Sequence, residues 1–170
     1  MKKQNPAAFS DHYQVRQLTQ EDIPAVLRLM QGNTLYFQYC GGDAGPSEAS
    51  IRRDMSIVPT GKTLEDKYYV GFFQDETLAA IMDLIDGYPE DDIAFVGFFM
   101  MNASLQGTGE GTRIISRLCS QLKKQGSRAV RLGTDKGNPQ STHFWRKNEF
   151  QVIRGVPQER GTILLAERIL

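Results

Sequence analysis

Six residues past the middle of the chain have the types and spacing of an anion-binding turn: Gln106, Gly107, Thr108, Gly109, Glu110 and Gly111. They follow the most hydrophobic run in the protein, Ala94 to Met101, and open an amphipathic stretch from Thr112 to Gln125. That order reads as strand, glycine-rich turn, helix. Such a turn aims unpaired backbone N–H groups at whatever lies in front of it, and the helix dipole adds partial positive charge at the same place. A phosphorylated ligand suits both properties.

Counting removes three phosphate motifs. A dinucleotide fingerprint, G-x-G-x-x-G, puts its third glycine on Thr112 when started at Gly107 and on Ile114 when started at Gly109. A Walker A loop around Gly61-Lys62-Thr63 needs a glycine where Ser56 stands. A protein-kinase loop lacks its lysine-bearing strand and catalytic-loop signature downstream. The spacing that fits is Q/R-x-x-G-x-G/A, read as Gln106-x-x-Gly109-x-Gly111.

This motif resembles the pyrophosphate-binding loop of the GNAT acyl-CoA N-acyltransferase superfamily. Asn138-x-x-Ser141-x-x-Phe144-Trp145-x-Lys147 is similar to the second signature of that family, a short helix after the next strand. Lys67 to Phe73 and Asp83-Leu84-Ile85 are similar to segments of bacterial members, and the likeness runs in order from Thr19 to Phe150. It implies an α/β, GNAT-like fold: a mixed central sheet of about six to seven strands flanked by about four helices. It also implies acetyl-CoA as cosubstrate and a primary amine of a small molecule or peptide as acceptor, attacking directly in a ternary complex. The pyrophosphate would lie against Gln106, Gly107, Thr108, Gly109, Glu110, Gly111 and Thr112. Glycine at 109 and 111 would let the backbone approach the ligand closely. The pantetheine arm would run beside Phe99, Met100 and Met101, where in this family the strand parts from its parallel neighbour. Asn138 and Ser141 would approach the cofactor from the second signature. The alternative is an acyl-CoA-binding regulatory or sensor module without turnover.

Two residues are the catalytic candidates, Asp83 and Trp145. Many family members carry a tyrosine where this chain has Trp145. An indole N–H only donates and does not titrate usefully, so Trp145 can pack on the acyl end or donate to sulfur. His143, two helix positions away, is expected to face elsewhere. Asp83 stands in an otherwise apolar strand, where a carboxylate without a partner has a raised pKa, the property of a base. A structural aspartate bonded to backbone N–H groups is the other reading. Asp86, Tyr88 and Asp92, at strand ends, are lesser candidates. Tyr36, Phe37, Tyr39 and Tyr68 are expected around the acceptor. Glu149 stands where the family has glycine before Phe150, and Asn148 is expected to take the left-handed conformation in its stead.

Elements must position these residues. Residues 1–10 are expected as a flexible tail and 11–170 as a single GNAT-like acetyltransferase domain. His12 to Leu18 reads as a first strand. Thr19-x-x-Asp22 resembles a capping box before a helix that buries Ile23, Val26, Leu27 and Met30. Gly41 to Pro46 reads as a loop, Ser47 as the cap of a helix with Ile51, Met55 and Val58 inward. Lys67 to Phe73 and Thr77 to Asp86 form a hairpin across Gln74-Asp75-Glu76. Asp92 to Met101 and Arg128 to Thr134 are strands joined by a helical crossover, hence parallel. Asn138-Pro139 starts a helix, and Gln151 to Arg154 pairs with Thr162 to Ile169 across Pro157 to Gly161.

Composition bounds the rest. The chain has 170 residues, with 20 Lys plus Arg against 20 Asp plus Glu, a formal net charge of zero. It shows no basic stripe for nucleic acid and no apolar run of membrane-spanning length. Cys40, Cys119, His12 and His143 make neither a disulfide framework nor a metal spacing, so no metal is expected. Cys119 is expected as buried packing and Cys40 as exposed. The expected location is the cytoplasm, as monomer or homodimer.

Overall fold

The computed structural model describes residues 3–39 and 45–170. Cys40 and residues 41–44 of the expected loop lie outside the described residues. The elements run β1 (Gln14–Gln17), α1 (Ile23–Gln31), α2 (Thr34–Tyr39), α3 (Glu48–Ser56), β2 (Lys67–Gln74), β3 (Thr77–Asp86), β4 (Ile93–Met101), α4 (Glu110–Lys124), β5 (Ala129–Asp135), α5 (Pro139–Lys147), β6 (Gln151–Gln158) and β7 (Gly161–Ile169). Seven strands form one sheet in the order β1-β2-β3-β4-β5-β7-β6. Every neighbouring pair is antiparallel except β4 with β5. The fold is thus the expected mixed α/β one. Among the described residues it has five α-helices rather than about four. The additional one, α2, has too few residues to show a helical period in sequence.

Strands β3 and β4 are apolar on both faces because helices cover both. Ala80, Met82 and Leu84 of β3 pack with Ile114, Ile115, Leu118 and Leu122 of α4. Leu78 and Ile81 pack on the other face with Val26, Leu29 and Met30 of α1 and Ile51 of α3. Each fully buried aliphatic side chain contributes roughly 1.5–3 kcal/mol relative to leaving it exposed. These two layers fix the height and tilt of β4 between them, and β4 carries the site. Cys119 is buried in the α4 layer, where burial pushes its thiol up to about 11.

Three expectations are corrected. The segment expected as a flexible tail is packed from Gln4 onward. Asn5 caps a short turn at Pro6–Phe9, and its side chain accepts from the Ala7 N–H (3.2 Å). Phe9 is fully buried, edge-on to Tyr68 at 6.3 Å. The Gln4 N–H donates to the Tyr68 hydroxyl (3.0 Å), and its side-chain amide donates to Asp86 (3.3 Å). One buried aromatic outweighs the polar composition around it. Next, the second hairpin turns more tightly than expected. Pro157 lies inside β6, which tolerates it as an edge strand. Finally, Glu149 rather than Asn148 takes the left-handed conformation, at φ 69°, while Asn148 stays at φ −90°. The Asn148 side chain is occupied instead, donating to the Phe144 carbonyl (2.9 Å) and the Thr112 hydroxyl (3.3 Å).

An L-residue in the left-handed region costs roughly 1–2 kcal/mol. Glu149 gains in return an ion pair with Arg168 at 2.7 Å, but its side chain is 74% exposed, and exposed pairs contribute little. Replacing it, Glu149→Gly, is expected to raise stability by about 1 kcal/mol. Urea unfolding checks this, and a lowered midpoint would show that the Arg168 pair outweighs the strain.

Candidate active site

Strand β4 pairs with β3 from Asp86↔Ala94 to Ala80↔Met101. With β5 it pairs only from Ile93↔Ala129 to Val96↔Leu132. Beyond that point Gly133, Thr134 and Asp135 pair with β7 alone, and the two parallel strands part. The register of β4 also slips there: Asp83 faces Phe98 and Leu84 faces Val96, which leaves Gly97 without a partner on β3. A bulge of this kind bends a strand and re-aims its groups. An inner cavity of about 120 Å³ opens in the wedge, bordered by Gly97, Phe98, Gly133 and Thr134. An outer cavity of about 360 Å³ continues past Met100 and Met101 to the glycine loop and α5. Tyr36, Phe99, Asn138, Ser141 and Trp145 border both cavities.

The glycine loop lies at the outer end. Gly107 and Gly109 have φ of 74° and 87°, and a Cβ on either would meet no atom within 4 Å. Their requirement is conformational, since the turn that feeds α4 passes through the left-handed region. Gly111 differs, because a Cβ there would lie 3.1 Å from the Phe144 ring. It is small so that α4 can meet α5, and it also borders the outer cavity. Helix α4 begins at Glu110, with Gly109 as its N-cap, two residues before the expected start. The Arg113 N–H bonds the Gly109 carbonyl at 3.1 Å, so the first-turn amides before it project from the helix end.

Side chains tie the loop to its surroundings. The Gln106 amide donates to the Asn33 side-chain oxygen and accepts from Gln140 at 3.2 Å. Buried Asn33 donates to the Leu29 carbonyl (2.9 Å) and the Met101 carbonyl (3.1 Å). One chain of amides thus joins the end of α1, the end of β4, the loop and α5. Asn33 and Gln140 were not legible beforehand: in sequence each is an ordinary polar residue at a helix end. Thr112 borders the outer cavity. Thr108 and Glu110 do not. The Thr108 hydroxyl donates to the Leu105 carbonyl, and Glu110 turns outward to accept from the Tyr13 hydroxyl (2.9 Å).

Trp145 is buried in an aromatic wall, 6.1 Å from Phe99, 4.9 Å from Phe144 and 5.1 Å from Phe150. Phe144 stacks on Phe99 at 5.9 Å. The Ser141 and Thr134 hydroxyls lie 2.6 Å apart. Asn138 caps α5 by accepting from the Ser141 N–H (3.1 Å). His143, expected to face elsewhere, is exposed but borders the outer cavity, as does Lys147.

Asp83 lies behind the bulge and borders neither cavity with its own side chain. Its Oδ2 is 2.7 Å from the Lys67 ammonium and 3.1 Å from where a Cβ on Gly97 would stand. Burial raises its pKa, the Lys67 hydrogen bond and charge oppose that rise, and Asp54 adds to it; the net direction is upward. Of the aromatics expected around the acceptor, Tyr36 sits edge-on to Phe98 at 5.7 Å and Phe37 packs behind it at 5.1 Å. Tyr39 borders neither cavity, and Tyr68 lies on the opposite face of the sheet, against Phe9. The lesser candidates are engaged elsewhere: Asp86 with Gln4, Asp92 with Arg128 (2.9 Å) and Tyr88 against Phe95 (5.6 Å). Among the described residues, no group of three or more His, Cys, Asp and Glu is placed to hold a metal ion, and no helix is long and apolar enough to cross a membrane.

The site is thus a mixed sheet split at its single parallel pair, with a glycine turn and a helix end at the mouth of the split. Residues 30–150 match the model of the acetyltransferase (GNAT) family, and the chain belongs to that family. Among solved structures it is similar to an acetyltransferase from Thermus thermophilus (22% identity, 92% of this chain and 96% of that one covered, TM-score 0.74). It is also similar to the PaiA N-acetyltransferase from Thermoplasma acidophilum in complex with coenzyme A (20% identity, 92% and 98% covered, TM-score 0.67). A third is RimL, a ribosomal L7/L12 alpha-N-protein acetyltransferase in complex with coenzyme A (17% identity, 95% and 96% covered, TM-score 0.70). No curated protein matches the chain.

The left-handed turn at Gly109 generates a direct test. A β-branched side chain is strongly disfavoured at φ 87°, so Gly109→Val is expected to turn the loop amides away and abolish acetyl-CoA binding while the far-ultraviolet spectrum is kept. Titration calorimetry reads the affinity, and an unchanged value would refute the assignment of the loop.

Proposed function

We propose that the protein transfers the acetyl group of acetyl-CoA to a primary amine of a small molecule or peptide, by direct attack in a ternary complex. The observation that carries this reading is the wedge between β4 and β5, which runs from the helix-end amides inward to the Gly97 bulge. The two ends differ in charge. The outer end offers main-chain N–H groups and Lys147, which suit a diphosphate. At the inner end Asp135 is the charged residue among the described lining, with Asp83 behind Gly97, and this suits an ammonium. The strand edge left open past Val96 supplies main-chain groups that want partners, and a pantetheine amide can provide them.

The chemistry then follows in order. Asp83 takes a proton from the acceptor ammonium, across the gap at Gly97. The free amine nitrogen attacks the thioester carbonyl carbon, and the carbonyl oxygen becomes an oxyanion facing N–H groups of β4. Collapse breaks the carbon–sulfur bond, the attacking nitrogen gives up its second proton, and the departing coenzyme A thiolate takes that proton up. Trp145 forms the apolar wall beside the acyl group. The Ser141–Thr134 hydroxyl pair is the hydrogen-bonding group at that point and steadies the thiolate as it departs. We place such an enzyme in the cytoplasm, as monomer or homodimer.

Two measurements test the reading. Thiol release from acetyl-CoA with a panel of primary amines is expected to exceed hydrolysis for at least one of them. Tight binding with no release above hydrolysis would instead support a sensor module, the reading favoured by the absence of a titrating group at Trp145. Asp83→Asn is expected to lower kcat by about 10²–10³-fold, within the range for general bases, while acetyl-CoA affinity holds. The sign with pH is set by protonation. As pH falls through the raised pKa, Asp83 takes a proton and activity is lost, so the parent's acid limb lies above the ordinary carboxylate range and the Asn variant lacks it. An identical limb in both proteins would remove Asp83 from the role.

A further inference from the structure

The buried cation beside Asp83 has no part in the steps above, yet its placement is specific. Lys67 is 3% exposed and Asp83 15% exposed at the side chain, and their polar atoms are 2.7 Å apart. Burying an ammonium is unfavourable by several kcal/mol unless it is paired and hydrogen-bonded. A sequence that needed only a filled core would place an apolar pair here. Lys67 binds one carboxylate oxygen; the other, Oδ1, is buried without a hydrogen-bond partner among the described residues, as is the Tyr69 hydroxyl. The oxygen that Lys67 holds is also the one facing the space beside Gly97. Gly97 is exposed and borders the inner cavity, and the carboxylate lies directly against it, in the space a Cβ would need, so the glycine backbone alone stands between the two.

We infer that Lys67 is a positioning residue for acyl transfer: its ammonium holds the Asp83 carboxylate in place against Gly97, at the edge of the inner cavity. This rests on the reading of Asp83 as base given above. The groups acting on Asp83 are Lys67 and Tyr69 from β2 and Asp54 from α3, with Gly97 and Phe98 facing it from β4. Lys67 is the cation among them. Burial and Asp54 favour the protonated acid. Without Lys67 nothing opposes the effect of burial, and the carboxyl would hold its proton to higher pH than in the parent. The cation therefore sets the lowest pH at which the reaction runs.

The test uses the full chain with acetyl-CoA and 1,4-diaminobutane as the acceptor probe, following thiol release across pH. Lys67→Met is expected to move the acid limb of kcat/KM upward by about one pH unit or more, which is about tenfold slower turnover on the limb. Activity should return to nearly the parental value above the shifted limb, with acetyl-CoA affinity unchanged. Lys67→Arg keeps the charge and is expected to keep the parental limb. If Lys67→Met does not fold, judged by near-ultraviolet dichroism, Lys67→Gln replaces it as the neutral variant. A neutral variant with the parental limb, or with the same loss at every pH, overturns the inference. Asp83→Asn separates the two readings. If it abolishes the limb and Lys67→Met leaves the limb in place, the Lys67 inference fails alone. If Asp83→Asn leaves the limb, or the parent releases no thiol above hydrolysis, the base reading fails and takes this one with it.

Discussion

The structure depends on one strand that is hydrogen-bonded on only one side for half its length. Past Val96, β4 keeps β3 and loses β5. Main-chain donors and acceptors in a sheet interior seek partners, and a parting of this kind persists only because both strands are held from behind. β3 holds β4 through an antiparallel ladder interrupted at Gly97, and β7 holds β5 through another. The two helical layers press β4 from both faces. The open edge is therefore a stable feature rather than a fraying one, and the site is built around it.

Three distant parts of the chain meet at that edge. The end of α1 brings Asn33, the glycine loop brings Gln106, and α5 brings Gln140, Phe144 and Trp145. The amide chain through Gln106 and the ring stack of Phe99 on Phe144 lock these parts to β4 by polar and apolar contact together. Charge is distributed along the wedge in the same sense as in the substrates proposed for it. Amide dipoles and Lys147 stand at the outer end, and carboxylates at the inner end. The bulge at Gly97 joins the two themes, because it lies where β4 and β5 part and the buried Lys67–Asp83 pair lies directly behind it.

Much of the fold was legible in sequence because its signals are local. The run Ala94 to Met101 followed by glycines announced strand, turn and helix. The span between β4 and β5 required a crossover and hence parallel pairing. Asn138-Pro139 marked the start of α5. Short or weakly patterned elements were not legible: α2 is brief, and the Pro6–Phe9 turn is anchored by a single aromatic whose burial no local pattern reveals.

The site divides along the same line. Sequence by itself determined the loop glycines, because a left-handed backbone at Gly107 and Gly109 selects the residue type directly. It also marked the strand that precedes the loop, Ile93–Met101, by its apolar run. Tertiary structure alone decided that Gly111 answers to Phe144, that Asn33 latches the loop, that Glu110 turns away toward Tyr13, and that Asp83 has Lys67 for a partner. The physical reason is range. Backbone conformation and periodicity are written within a few neighbouring residues, whereas a contact or a buried ion pair depends on sheet register, and register is settled only when the whole core packs.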